Sequence, residues 1–229
     1  MVKLKPKNLH YYNNIRKCCL GVSLHSHNHT GEKLATIIEY INDNFETCLI
    51  DLSDTLYAYH YMSTEGLSRA EAHCIAASEG DKWLANNADI IQKLKIPYEI
   101  VRWDTWLNHV DFKDLKNEYF ALFDTNKIFR DALLQDIHNY YDRRHNKDVR
   151  NVPVKFLKGS ISYLLEEITC HTLLARDISC VNVYPGKQLE CFKVIREGLV
   201  DNAPRGLETF GHIRLNLYEV ADTQESQVA

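Results

Sequence analysis

A chain of 229 residues, 45% apolar and 25% charged, can bury one ordinary domain core, which excludes a disordered or fibrous protein. The net charge of −4 argues against a general nucleic-acid or DNA binder, and apolar runs such as "CCLGV" and "YLL" are too short to cross a membrane. The opening "MVKLKPKNLHYY" carries charge but no apolar signal segment, so the sequence predicts a cytoplasmic protein whose seven scattered cysteines, with no Cys-x-x-Cys pair, stay reduced.

In chain order, residues 1–14 are expected to be a flexible end. "RKCCLGVS" (16–23) reads as a buried strand. Leu34, Ile37, Ile38, Ile41 and Phe45 recur at helical spacing and predict a helix over 32–45. "TCLIDLS" is a second buried strand. A long helix over 68–94 follows, because Ser68 and Glu71 have capping-box spacing. "YEIVRW", after Pro97, is a third strand, and two helical stretches cover 111–146, the second starting at Asn126. "GSISYLLEEITCHTLLAR" predicts a helix over 159–176, "SCVNVYPG" a fourth strand and "KQLECFKVIREGLV" a further helix. "HIRLNLYEV" alternates as a last strand, and 221–229 is a second flexible end. Strands alternating with helices predict a single α/β domain, Rossmann-like, with a mostly parallel sheet flanked by helices. Ligands of such folds sit beyond the carboxyl ends of the strands, where Ser23 and Tyr184 both fall.

"LGVSLHSHNHT" (20–30) offers two chemistries. His25, His27 and His29 would present imidazoles to a metal from a strand, but the Ser, Asn, Thr and Gly of this segment predict a loop, where that spacing brings no convergence. Ser23, at the mouth of a parallel sheet, is a candidate nucleophile with loop amides near Gly21 and Ser23 to receive an oxyanion. The segment is not Gly-x-Ser-x-Gly, since position 25 is His, and the glycine-rich dinucleotide and phosphate loops are absent. Tyr163 and Glu167, four apart on a predicted helix, project from one face. Tyr184 closes a buried strand and Pro185 fixes the turn after it. Two basic clusters stand out: Lys3, Lys5, Lys7, Arg16 and Lys17, with no acid before Glu32, and Arg143, Arg144, Lys147, Arg150, Lys155 and Lys158, with Asp148 as the counter-charge. The residues alone leave open a serine nucleophile, a three-histidine metal hydrolase and a non-catalytic tRNA-binding module.

Taken together, a serine after "GV", a Tyr-x-x-x-Glu helix about 140 residues on, and a Tyr-Pro ending the next strand resemble the tRNA-dependent cyclodipeptide synthases, over nearly the whole chain. The family divides by diagnostic positions into two types. Ser26, three after the serine and not Asn, and Pro185 after Tyr184 match the type named XYP. The resemblance implies a fold similar to the catalytic domain of class I synthetases for tyrosine and tryptophan, but "HSHN" is not a HIGH-type signature and no KMSKS-type signature occurs. It implies no cofactor and no metal, two aminoacyl-tRNAs as substrates, no membrane or DNA partner, and a monomer. Ser23 would carry aminoacyl and then dipeptidyl groups, with Tyr163, Glu167 and Tyr184 as its catalytic companions. Cys19, Gly21, Ser26, Cys170, Asn182 and Pro185 would bind the aminoacyl substrates, and the two basic clusters the tRNA.

Overall fold

The computed structural model describes residues 2–7, 14–145 and 152–219. Strand β1 (Val2–Lys7) is followed by β2 (Lys17–Val22), a 3-10 turn (His27–His29), α1 (Gly31–Asn44) and β3 (Thr47–Leu52). A second 3-10 turn (Thr55–Tyr57) leads into α2 (Ala58–Thr64) and α3 (Arg69–Ile91). Then come β4 (Tyr98–Arg102), α4 (Trp103–Leu107), α5 (Phe112–Thr125), α6 (Lys127–His145) and α7 (Val154–Asp177). The chain ends in β5 (Val181–Tyr184), α8 (Glu190–Arg196), a 3-10 turn (Leu207–Thr209) and β6 (Gly211–Glu219).

The expected local signals act as predicted. Ser68 and Glu71 close a capping box on α3, and Asn126 Oδ1 accepts the Phe129 amide at 3.1 Å to start α6. Three features differ. Residues 2–7, expected in a flexible end, form β1, because Val2, Leu4 and Pro6 turn inward while Lys3, Lys5 and Lys7 face solvent. Helix α7 begins at Val154 rather than 159. Gly159 is not a break but a close packing point, where an added Cβ would lie 3.1 Å from Ser63 Cβ on α2. The short helices α2 and α4 were not expected at all.

The six strands run in the order β1-β6-β5-β2-β3-β4, parallel except for the antiparallel β1–β6 pair. After β2 the chain builds outward through β3 and β4, then returns to place β5 on the other side of β2. The sheet therefore has its switch point between β2 and β5, where a crevice opens beyond the strand ends. Alternation splits the core into two layers. Cys18, Leu20 and Val22 face Leu34, Ile37, Ile41 and Trp83 on the α1–α3 side. Cys19 faces Leu165, Ile168 and Cys170 of α7 on the other side, together with residues of α4, α5, α6 and α8. Among the described residues no helix is long and apolar enough to cross a membrane.

Candidate active site

The switch-point crevice is a cavity of about 420 Å³ on the α7 side of the sheet. Register places Cys19 opposite Asn182 and Leu20 opposite Val183, so the side chains of Asn182 and Tyr184 and the bare Cα of Gly21 share the face that floors it. Ser23 follows β2 directly, and its Oγ lies 3.2 Å from the Tyr184 hydroxyl, across 161 residues of sequence. Gly186 permits this: a Cβ there would sit 2.6 Å from Tyr184 Cε1, inside the ring's own space.

Helix α7 supplies the opposite wall. Tyr163, Glu167 and His171, at i, i+4 and i+8, form one stripe lining the cavity. Burial, and secondarily the neighbouring Asp136 and Asp51, push the Glu167 carboxyl up to about 8. The Tyr163 and Tyr184 hydroxyls are raised by burial too; for Tyr184 the Ser23 hydrogen bond opposes the shift. Near neutrality the cavity thus holds mostly protonated, hydrogen-bond-competent oxygens. The adjacent Glu166 points the other way and is structural. It accepts from Lys116 Nζ at 2.7 Å, the Tyr59 hydroxyl at 2.8 Å and Trp103 Nε1 at 3.2 Å, so its buried charge is paired and ties α2, α4, α5 and α7 together.

The histidines do not converge. His25 is exposed and meets Glu79 at 3.1 Å, His27 is exposed, and His29 is fully buried. Among the described residues no group of three or more His, Cys, Asp or Glu side chains is placed to hold a metal ion. His29 nevertheless matters. Its Nδ1 lies 3.0 Å from the Ser23 amide, which donates to it, and 3.2 Å from the Ser23 carbonyl oxygen. Burial lowers this imidazole to about 4, so it is neutral, and its ring meets the Tyr184 ring edge-on at 5.5 Å. Trp83 Nε1 in turn donates to the His29 carbonyl at 2.9 Å. The Ser23 amide, one of the expected oxyanion donors, is therefore engaged by an imidazole. Ser26 lines the cavity and caps the 3-10 turn, its Oγ accepting the Asn28 amide at 3.3 Å.

Asn182 and Pro185 line the cavity. Asn182 Nδ2 approaches His212 Nδ1 at 3.4 Å, and its Oδ1 is buried without a partner among the described residues, an acceptor that can face a ligand. Cys19 and Cys170, expected on the cavity wall, lie behind it in the core, 0% and 1% exposed. Cys19 is one pleat below Gly21, and Cys170, seven residues after Tyr163, is packed in the core cluster with Leu165, Ile168 and Leu173. His29 was singled out only as a possible metal ligand, and the residues that the sequence did not single out are His171, Asp136 and His212. Of these, only His171 had a legible signal, its spacing from Tyr163 and Glu167.

The basic clusters separate in space. Arg143 lines the cavity, Arg144 is beside it on α6, and Lys155 and Lys158 are exposed on the first turns of α7. Lys147 and Arg150 lie outside the described residues. Lys7 is level with Tyr184 but two strands away, and Lys3 and Lys5 are on the same edge strand. Arg16 and Lys17 are at the opposite end of β2 from Ser23, roughly 20 Å away for a strand of this length, and Arg16 pairs with Glu46 at 3.6 Å.

No protein-family model and no curated protein match the sequence. Solved structures do match. A cyclodipeptide synthase (CDPS) from Fluoribacter dumoffii is 23% identical with a TM-score of 0.85, over 96% of this chain and 99% of that one. A cyclodipeptide synthase from Candidatus Glomeribacter gigasporarum, bound to Phe-tRNAPhe, is 17% identical with a TM-score of 0.69, over 93% and 92% of the two chains. A Mycobacterium tuberculosis protein, described as demonstrating that cyclodipeptide synthetases are related to type I tRNA synthetases, is 13% identical with a TM-score of 0.69, over 94% and 93%. Over 93–96% of its length, this chain has the fold of the cyclodipeptide synthases.

Proposed function

We propose that this protein is a tRNA-dependent cyclodipeptide synthase of the XYP type, joining two amino acids from their tRNA esters into a 2,5-diketopiperazine without ATP. The observation that carries this reading is the 3.2 Å contact between Ser23 Oγ and the Tyr184 hydroxyl, in one cavity with Tyr163 and Glu167.

The chemistry is an acyl transfer in two stages. Ser23 Oγ attacks the ester carbonyl of the first aminoacyl-tRNA, and the bond to the ribose oxygen breaks. The serine proton moves to that leaving oxygen through the neutral Tyr184 hydroxyl, which accepts from Ser23 while donating onward. The amine of the stored residue then attacks the ester of a second aminoacyl-tRNA, releasing the second tRNA. Finally the free amine of the dipeptide attacks the ester on Ser23, closing the ring; the proton the amine loses passes to Tyr184, whose own proton returns to Ser23 Oγ as the ester bond breaks.

Glu167 governs the amine. An α-amino group titrates near ~8, and the Glu167 carboxyl sits at about 8 as well. A single proton is thus shared between nearly matched groups, so the amine can be held as ammonium for binding and released as a nucleophile for attack. The Tyr163 hydroxyl, one helical turn away, orients it. Asn182 Oδ1, Ser26 and Pro185 shape the rest of the acyl site.

The test is Ser23→Ala. Intact-mass measurement after mixing with charged tRNA should show one aminoacyl adduct on the wild type and none on the variant, whose diketopiperazine output in a bacterial host should vanish. Full product formation by the variant rules out the assigned nucleophile.

A further inference from the structure

Two histidines of the cavity wall fix which atoms its inner end presents. His212 Nε2 lies 3.1 Å from the Gly186 carbonyl oxygen, and His171 Nδ1 lies 3.0 Å from the Glu167 carbonyl oxygen. A carbonyl only accepts, so each of these nitrogens carries the proton. Burial lowers both imidazoles to about 4, so each is neutral near pH 7 and its second nitrogen is an acceptor. His212 Nδ1 then needs a donor, and Asn182 Nδ2 supplies it at 3.4 Å. That contact orients the amide: its NH2 group faces His212, and its Oδ1 is turned to Gly21, where no described residue donates to it.

Gly21 brings this oxygen within reach of a ligand. It lines the cavity without a side chain, and a carbon at its Cβ position would lie 3.6 Å from Asn182 Oδ1 and 3.6 Å from Tyr184 Cδ2. A ligand nitrogen or oxygen in this notch needs to come only about 0.6 Å nearer to Oδ1 than that carbon to form a hydrogen bond. The strand on the other side repeats the pattern. Asp51 is opposite Gly21 in the β2–β3 register, and its Oδ1 accepts from Trp106 Nε1 at 3.0 Å. Its Oδ2 is buried with no donor among the described residues, 3.9 Å from His171 Nε2, too far for a hydrogen bond. The inner end thus turns acceptors toward a substrate: Asn182 Oδ1 in the notch, with His171 Nε2 and Asp51 Oδ2 behind. Around them Ile137, Leu164, Phe192 and Phe210 are buried and apolar.

Gly21 and Ser23 lie on one face, two residues apart, so the notch is about 7 Å from the nucleophile, a distance an extended side chain spans. We propose that the notch over Gly21 takes the donor end of the side chain of the amino acid stored on Ser23, selecting residues with a side-chain N–H or O–H over their apolar isosteres. An apolar isostere would leave Asn182 Oδ1 buried and unpaired, which is the condition under which such sites discriminate most strongly. The inference rests on the proposed acyl transfer to Ser23 and names the substrate class for it.

The probes are amino-acid amides, which carry the α-ammonium and a neutral carbonyl but no RNA: tyrosine and phenylalanine, glutamine and methionine, threonine and valine. Calorimetry reads their binding to the wild type. The tightest-bound amide should have a side-chain donor and exceed its apolar partner by about tenfold or more. Gly21 has no positive φ, and its new methyl in Gly21→Ala would make ordinary contacts, so this variant should fold with the notch filled and bring the ratio near one. Asn182→Leu should bring it near one as well, while keeping affinity for the apolar partner. In parallel, the wild type is mixed with total charged tRNA, and the mass of the adduct on Ser23 identifies the stored residue, which should carry a side-chain N–H or O–H. An apolar adduct, a ratio unchanged in both variants, or no donor-dependent difference in either measurement overturns the selection. If donor amides win but charged tRNA leaves no acyl group on Ser23, the synthase reading fails and the notch stands. If Ser23 takes an apolar residue, the notch alone fails.

Discussion

Gly186→Ala isolates the Ser23–Tyr184 contact without touching either residue. The new methyl group would sit 2.6 Å from Tyr184 Cε1 and 3.0 Å from Cδ1. Carbon atoms pack comfortably at ~3.5–4.0 Å, so the ring must retreat by about 1 Å. The hydroxyl is 3.2 Å from Ser23 Oγ, already a long O–H···O bond, and such a retreat breaks it. A misplacement of this size in a reacting group costs on the order of 10²-fold in rate. Overpacking should also lower stability by about 1–3 kcal/mol, or about 2–4 °C of melting temperature per kcal/mol for a chain of this size. Diketopiperazine formation from purified charged tRNAs should therefore fall about 100-fold, in a protein that still melts cooperatively. Tyr184→Phe should lose a similar amount, and adding Gly186→Ala to it should cost little more rate, since both act through one hydroxyl. If Gly186→Ala makes product at the wild-type rate, or its loss multiplies fully with that of Tyr184→Phe, the proton route through Tyr184 is wrong.

Two further outcomes test the site. Burial raises Glu167 from 4.5 to about 8 and Asp51 from 3.8 to about 7, so between those limits the native state keeps protons that the unfolded chain has lost. Stability should then fall as pH rises through that window, and Glu167→Gln should flatten the decline by a few degrees of melting temperature between about pH 5 and about pH 8.5; parallel melting profiles would contradict the raised carboxyl. His29→Leu removes the ring nitrogen that holds the Ser23 amide, so adduct formation on Ser23 should slow about tenfold, ~1.4 kcal/mol, beyond any folding loss. His29→Asn, with a polar atom near the same place, should recover part of that rate; equal acylation by folded Leu and Asn variants means that His29 only fills space.

Much of this protein was legible along the chain because its signals are local. The apolar spacing of Leu34, Ile37, Ile38 and Ile41 specifies a helix with one buried face, and the capping box at Ser68 and Glu71 marks where another begins. Tyr163 and Glu167 share a face by helical repeat alone, and Ser23 and Tyr184 end strands because the apolar runs stop there. Other features were hidden because they depend on partners far away in sequence. Strand β1 exists through its pairing with β6, more than 200 residues later, and its lysines read as a solvated tail until that pairing is known. Cys19 and Cys170 read as cavity wall until the packing of β2 against α7 put both in the core. His29 read as one of three loop histidines weighed as metal ligands until the structure enclosed it between Trp83 and the Ser23 amide. What sequence periodicity determined was which side chains share a face; what only the tertiary structure decided was that β5 returns beside β2. Side-chain direction follows from backbone repeat, whereas strand order is settled by how the whole sheet buries its two faces.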